Sequence, residues 1–146
     1  MIIGYYHQIF FGGGTYFKLS KKDNEDKYKF EFCHSAIPNY IPNAEEYIKK
    51  YDTLTINNER ICSKIEITEK YIDYNQYIKE IIKIIHTAEW SKISKTNYSN
   101  NNLDDVNWCF YIRDEEDLEY IITGYAVYPK EVEQIYYLFK KIKELL

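Results

Sequence analysis

Residues 107–129 read NWCFYIRDEEDLEYIITGYAVYP. Trp108, Phe110 and Ile112 alternate with Asn107, Cys109 and Tyr111. Ile121, Thr123, Tyr125 and Val127 alternate on the return. A period of two is that of strands with one buried face. Asp114, Glu115, Glu116 and Asp117 join the two runs, so the stretch predicts a β-hairpin with an acidic connection. Pro129 then stands at a helix start, where its missing N–H does no harm. Val132, Ile135, Tyr136, Phe139 and Ile142 fall on the inner side of that helix. Glu131 and Glu133 in its first turn and lysines in its last match the helix dipole.

Upstream the pattern repeats. IIGYYHQIFF, TYFKLS and KYKFEFCHS predict a three-stranded meander over roughly the first 35 residues. In the last run Tyr28, Phe30, Phe32 and His34 alternate with Lys29, Glu31, Cys33 and Ser35. AIPNYIPN, residues 36–43, reads as a connection, and Asn43 as the cap of a short helix through Lys50. RICSKIEIT predicts a middle strand with Ile61, Ser63, Ile65 and Ile67 on one face. Asp73, with Gln76 three residues on, is the expected cap of a helix carrying Tyr74, Tyr77, Ile78, Ile81, Ile82 and Ile85 as its apolar stripe. Residues 91–105, SKISKTNYSNNNLDD, read as an exposed loop.

This order predicts an α+β fold in a single domain, residues 1–146. A largely antiparallel sheet of about six strands combines the N-terminal meander, one middle strand and the C-terminal hairpin. Two amphipathic helices should cover one of its faces. The length suits one core.

Residues 86–146 also resemble small uncharacterised bacterial α+β domains. Those end with a Trp, then Asp-Gly and a second Trp opening a hairpin, then Gly-Asn-Xaa-Tyr-Pro and a closing helix. Trp90, Asp104, Trp108, Gly124, Tyr128 and Pro129 match that pattern, with Asp105 and Tyr125 replacing its Gly and Asn. The resemblance implies the fold and carries over no activity, cofactor or site.

Composition narrows the function classes. Apolar residues at 45% and aromatics at 18% are those of a chain that buries a core. The 22 Ile, 17 Lys, 17 Tyr and 11 Asn are all residues with A/T-rich codons, which accounts for the tyrosine excess without a stacking surface. A net charge of −4 and only 2 Arg argue against nucleic acid, whose backbone needs a basic stripe. Lys140, Lys141 and Lys143 sit where a helix end favours cations. Cys33, Cys62 and Cys109 are odd in number and contain no CxxC, so neither a zinc site nor a disulfide framework is expected. The first basic residue is Lys18 and the apolar start is shorter than the roughly 20 residues of a membrane span. A cytoplasmic protein with reduced thiols and no membrane partner is the expectation.

Catalytic signals are weak. Gly12-Gly13-Gly14 opens onto a strand rather than a helix, which suits a hairpin turn better than a phosphate loop. Cys33 and His34 point to opposite faces of a strand and cannot form a dyad. His7 and His34 could meet on adjacent strands, the one arrangement that keeps acid–base or metal chemistry open. His86 reads as a rim residue. No catalytic residue, metal or cofactor is therefore expected.

The strongest local signal is charge. Asp104, Asp105, Asp114, Glu115, Glu116, Asp117 and Glu119 face one base, Arg113, between 104 and 119. The DEED run lacks the spaced ligands and glycine of a calcium loop. A soluble turn that discourages strand pairing is the bland reading. The functional one is a docking surface for a protein with a basic surface, through Asp114, Glu115, Glu116 and Asp117. Trp108 or Tyr111 would serve as apolar anchors. That suits a non-enzymatic domain that masks its partner stoichiometrically, as immunity proteins or phage anti-defence inhibitors do. The alternative is a small-molecule binder with an aromatic-lined pocket between sheet and helices. Neither reading fixes the oligomeric state.

Overall fold

The period-two runs become strands and the 3.6-period runs become helices. The computed structural model describes residues 1–8, 14–22, 24–35, 68–98, 107–114 and 119–146. The strands are β1 (Ile2–Gln8), β2 (Gly14–Ser20), β3 (Tyr28–Ser35), β4 (Thr68–Ile72), β5 (Asn107–Arg113) and β6 (Glu119–Tyr125). The helices are α1 (Gln76–Thr87), α2 (Trp90–Ile93) and α3 (Lys130–Glu144). Every strand pairing is antiparallel, and the order across the sheet is β4-β3-β2-β1-β5-β6. This is the expected α+β arrangement, with the meander and the C-terminal hairpin joined through β1 and β5. No described helix is long and apolar enough to cross a membrane.

Register decides which side chains share a face. Ile3, Tyr5 and His7 lie opposite Leu19, Phe17 and Thr15 on one side, and opposite Ile112, Phe110 and Trp108 on the other. Phe30 and Tyr28 of β3, Ile72 of β4 and Ile122 of β6 continue this face. The helices pack here. Ile78, Ile81 and Ile85 of α1, and Val132, Ile135, Phe139 and Ile142 of α3, are buried in the same core. Phe139 meets Phe17 and Phe30 at ring centroids 5.6 and 5.9 Å apart. Each such side chain contributes about 1.5–3 kcal/mol on burial, so this face supplies most of the cohesion.

Three local expectations are corrected. Asn75, not Asp73, caps α1: its Oδ1 accepts from the N–H groups of Tyr77 and Ile78 at 2.9 and 3.1 Å. An amide cap adjacent to the helix satisfies two orphan donors, which Asp73 stands too far back to reach. The helix also stops short of Trp90. Ala88 is extended (ψ 147°), and α2 restarts at a corner that Trp90 pins by donating from Nε1 to the Ile85 carbonyl at 2.9 Å. Consequently Trp90 and Ile93 belong to the core, and the expected exposed loop begins later. On β6 the core-facing residue is Ile122, 2% exposed, while Ile121 and Thr123 face away. The fourth described strand is Thr68–Ile72, starting where the expected one ends. Residues 60–67 and the helix expected at 43–50 lie outside the described residues.

Candidate functional site

The hairpin of β5 and β6 is held by an aromatic lock at one end and opens onto acidic groups at the other. At the locked end Trp108 lies across from Gly124, where a Cβ would stand 2.4 Å from Trp108 Cζ2. Only glycine permits that approach. The indole stacks on Tyr128 (5.2 Å, 21°) and touches Tyr98 (5.9 Å). Its Nε1 donates to the Val127 carbonyl at 2.9 Å. Ala126 turns the chain there with φ 62°, and the Tyr125 N–H donates to the Tyr98 carbonyl at 2.7 Å. Trp108, Gly124, Tyr128 and Pro129 thus form one structural unit between β6 and α3.

Trp108 and Tyr111 are 3% and 1% exposed. Their burial removes them from the role of apolar anchors for a partner. The Tyr111 hydroxyl instead donates to Glu119 Oε2 at 3.1 Å, tying the start of β6 to β5. Arg113 and Glu119 are cross-strand partners, so the last pair before the acidic connection carries opposite charges. Asp114 follows directly and is half-buried. Glu115, Glu116 and Asp117 lie outside the described residues.

Asp114 shares a cleft of about 370 Å³ with the corner between α1 and α2. Ile85, Trp90 and Ile112 line its apolar part, and His86, Glu89 and Tyr120 its rim. His86 lines this cleft together with Glu89 and Asp114, and Tyr120 is half-exposed there. Sequence reading missed this convergence, because Glu89 and Asp114 are distant in the chain and the helix break at Ala88 is what turns Glu89 toward the hairpin.

A second polar group lies on the sheet face away from the helices. Register lines up Gly4, Lys18, Glu31 and Glu69 across β1, β2, β3 and β4. Lys18 Nζ and Glu31 Oε2 are 3.7 Å apart and neither side chain is exposed. Lys29 Nζ stands 3.4 Å from Glu31 Oε1 and 3.0 Å from Glu69 Oε1. Burial pushes the Glu31 carboxyl above its ordinary value, against the pull of Lys18 and Lys29. Lys29, hydrogen-bonded to Glu69, holds that carboxyl below the ordinary value. Alternation had placed Lys29 and Glu31 on a solvent face; the structure buries Glu31 completely.

His7 and His34 do not lie on adjacent strands. His7 and His34 sit on β1 and β3 with Thr15 of β2 opposite both. Two strand spacings, roughly 9.5 Å, separate their backbones. His7 Nδ1 is instead 3.1 Å from the Tyr5 hydroxyl, with Tyr136 edge-on at 5.3 Å. Burial, with Tyr128 and Tyr136 adding to it, drives the Tyr5 hydroxyl far above its ordinary value, so it remains a phenol. Among the described residues no three His, Cys, Asp or Glu side chains come together as a metal site. Cys109 is buried within β5.

The chain matches no protein-family model, and no curated protein is similar to it at a significant level.

Proposed function

We propose that the protein is a non-enzymatic binding domain that masks a partner protein stoichiometrically, in the manner of a toxin-immunity protein or a phage anti-defence inhibitor. Its docking surface is the acidic end of the β5–β6 hairpin: Asp114, Glu115, Glu116 and Asp117. The observation that carries the reading is the concentration of seven acids against one base between residues 104 and 119. Five of these acids, Asp114, Glu115, Glu116, Asp117 and Glu119, lie between Arg113 and Tyr120 in the chain, and charge so concentrated selects a basic partner and accelerates encounter more than it deepens affinity. Asp114 adds a cleft with an apolar floor and a second carboxylate, Glu89, beside that charge. Tyr120 replaces Trp108 and Tyr111 as the aromatic contact, being the ring that lines the cleft.

Charge reversal at Asp114, Glu115, Glu116 and Asp117 tests this reading. The wild-type chain, purified from its native cells under mild conditions, should retain a basic protein at one-to-one stoichiometry. The reversed variant should lose it, and raising the salt should weaken the wild-type complex in parallel. Retention of the same protein by the reversed variant would contradict the assignment.

A further inference from the structure

Among the described residues, the outer edge of β6 pairs with no further strand. Met1 and Lys21 exchange both backbone hydrogen bonds, at 3.0 and 3.1 Å, which fixes the odd residues of β1 as those facing β2. The even residues of β1 then face β5, and the register carries the alternation across the hairpin. On β6, Tyr120, Ile122 and Gly124 face β5, whereas Glu119, Ile121, Thr123 and Tyr125 turn their N–H and C=O groups outward. The Tyr125 N–H confirms the direction, because it leaves the sheet to reach the Tyr98 carbonyl at 2.7 Å. Among the described residues β6 is the end of the sheet, and Ile121 and Thr123 meet no further strand.

Glu119 is its one charge and the Tyr98 carbonyl covers its Tyr125 end; between them, among the described residues, the edge has little protection. It has no Lys, no Pro and no bulge over seven residues, and Thr123 is exposed. The cleft holding Glu89 and Asp114 opens beside it, with Tyr120 of β6 in its wall. A strand laid along β6 would stand about 4.8 Å outside it. Its residue opposite Tyr120 would point to the same side as Tyr120, toward the cleft. An aliphatic stem would lie on Ile85 and Trp90 while its cationic head met Glu89 and Asp114, a combination that fits Lys or Arg and repels an acid.

We propose that β6 accepts an extended basic segment of the partner protein as a seventh strand, with one Lys or Arg side chain in the cleft between the α1–α2 corner and the hairpin. This rests on the binding reading above and specifies its mode: main-chain hydrogen bonds supply the contact and the cleft supplies the selectivity.

The test uses the whole chain and synthetic peptides of seven residues, the length of β6. One alternates Lys and Val, one alternates Glu and Val, and one is the Lys peptide with alternate amides N-methylated. Amide hydrogen exchange and amide chemical shifts are read by NMR. In the free protein the Ile121 and Thr123 amides should exchange freely while those of Tyr120 and Ile122 are protected. The Lys peptide should slow exchange at Ile121 and Thr123 about tenfold or more and shift Tyr120, Glu89 and Trp90. The Glu and N-methylated peptides should do neither, and Glu89→Gln with Asp114→Asn should weaken the Lys peptide about tenfold. Protection of Ile121 and Thr123 before any peptide is added would overturn the proposal, as would shifts confined to another surface or equal protection by the Glu peptide. Loss of the natural partner on charge reversal without protection by the Lys peptide removes the seventh strand and leaves the binding reading standing. Protection by the Lys peptide with the natural partner unaffected by charge reversal does the reverse.

Discussion

The two edges of the sheet are built on opposite principles. β4 is five residues long, and its exposed Glu69 and Lys70 put charges on an edge that otherwise shows Tyr71. Glu69 is further tied inward to Lys29 at 3.0 Å, and behind Lys29 stands the buried Lys18–Glu31 pair. β6 is seven residues long, carries Ile121 and Ile122, is fixed from behind by Trp108, and is met from outside at its Tyr125 end by the Tyr98 carbonyl. A short edge guarded by charge resists a new neighbour, and a longer edge with apolar residues invites one. This difference is our reason for proposing the interaction surface at the hairpin rather than at the meander.

Removing the charge behind β4 should produce the largest effect. Lys18→Met leaves Glu31 buried without its nearest cross-strand cation and should cost about 3–5 kcal/mol in denaturant unfolding. Adding Glu31→Leu should recover most of that loss or exceed the wild type, because an apolar pair of similar size escapes the desolvation cost. The double variant sharpens the contrast by showing that the ions specify this side of the sheet without being its main source of stability.

Gly124→Val attacks the other edge. The added side chain must displace the Trp108 ring from its place between Gly124 and Tyr128, at a cost of about 2–3 kcal/mol. Trp108 fluorescence should shift together with stability, and partner binding should fall even under conditions where the variant is folded.

The smallest change concerns Glu69. Its carboxylate is 43% exposed, so Glu69→Gln should cost under about 1 kcal/mol at neutral pH. The pH dependence should change more than the stability. Glu69 has a folded pKa below its ordinary 4.5, so its contribution is present above that value and lost as pH falls through the folded one. Glu31 has a folded pKa above 4.5, so its contribution is complete below that value and lost as pH rises through the folded one. The two slopes oppose each other in the wild type. In Glu69→Gln the rise of stability with pH below about 4.5 should vanish from unfolding titrations, while the Glu31 decline above it should not steepen, because Glu69 itself helps to raise the Glu31 carboxyl.

Most of the framework could be read before the structure. Period-two alternation and short apolar runs locate β1, β2, β3, β5 and β6, and the apolar stripes locate α1 and α3, each of which buries one side. The α1–α2 corner was hidden, since an apolar run through Trp90 carries no sign that Ala88 is extended. Burial of Lys18 and Glu31 was equally hidden: alternation tells which residues share a face, not whether that face meets water. Trp108 and Tyr111 were legible as hairpin aromatics but not as interior ones, because both faces of β5 are buried and the amphipathic pattern names only one. The cleft joins residues far apart in the chain, so only three-dimensional placement could assemble it. The acidic run itself was plain from composition.

A pair of proline substitutions tests most directly whether the outward groups of β6 are unused within the fold. Thr123→Pro compared with Thr123→Ala, and Tyr120→Pro compared with Tyr120→Ala, isolate the loss of an N–H at positions facing out and in. The proline increment in unfolding free energy should stay under about 1 kcal/mol at Thr123 and reach about 3 kcal/mol at Tyr120. Equal increments at the two positions would mean that the outer edge is already paired within the chain, and the contrast between the two edges would fail.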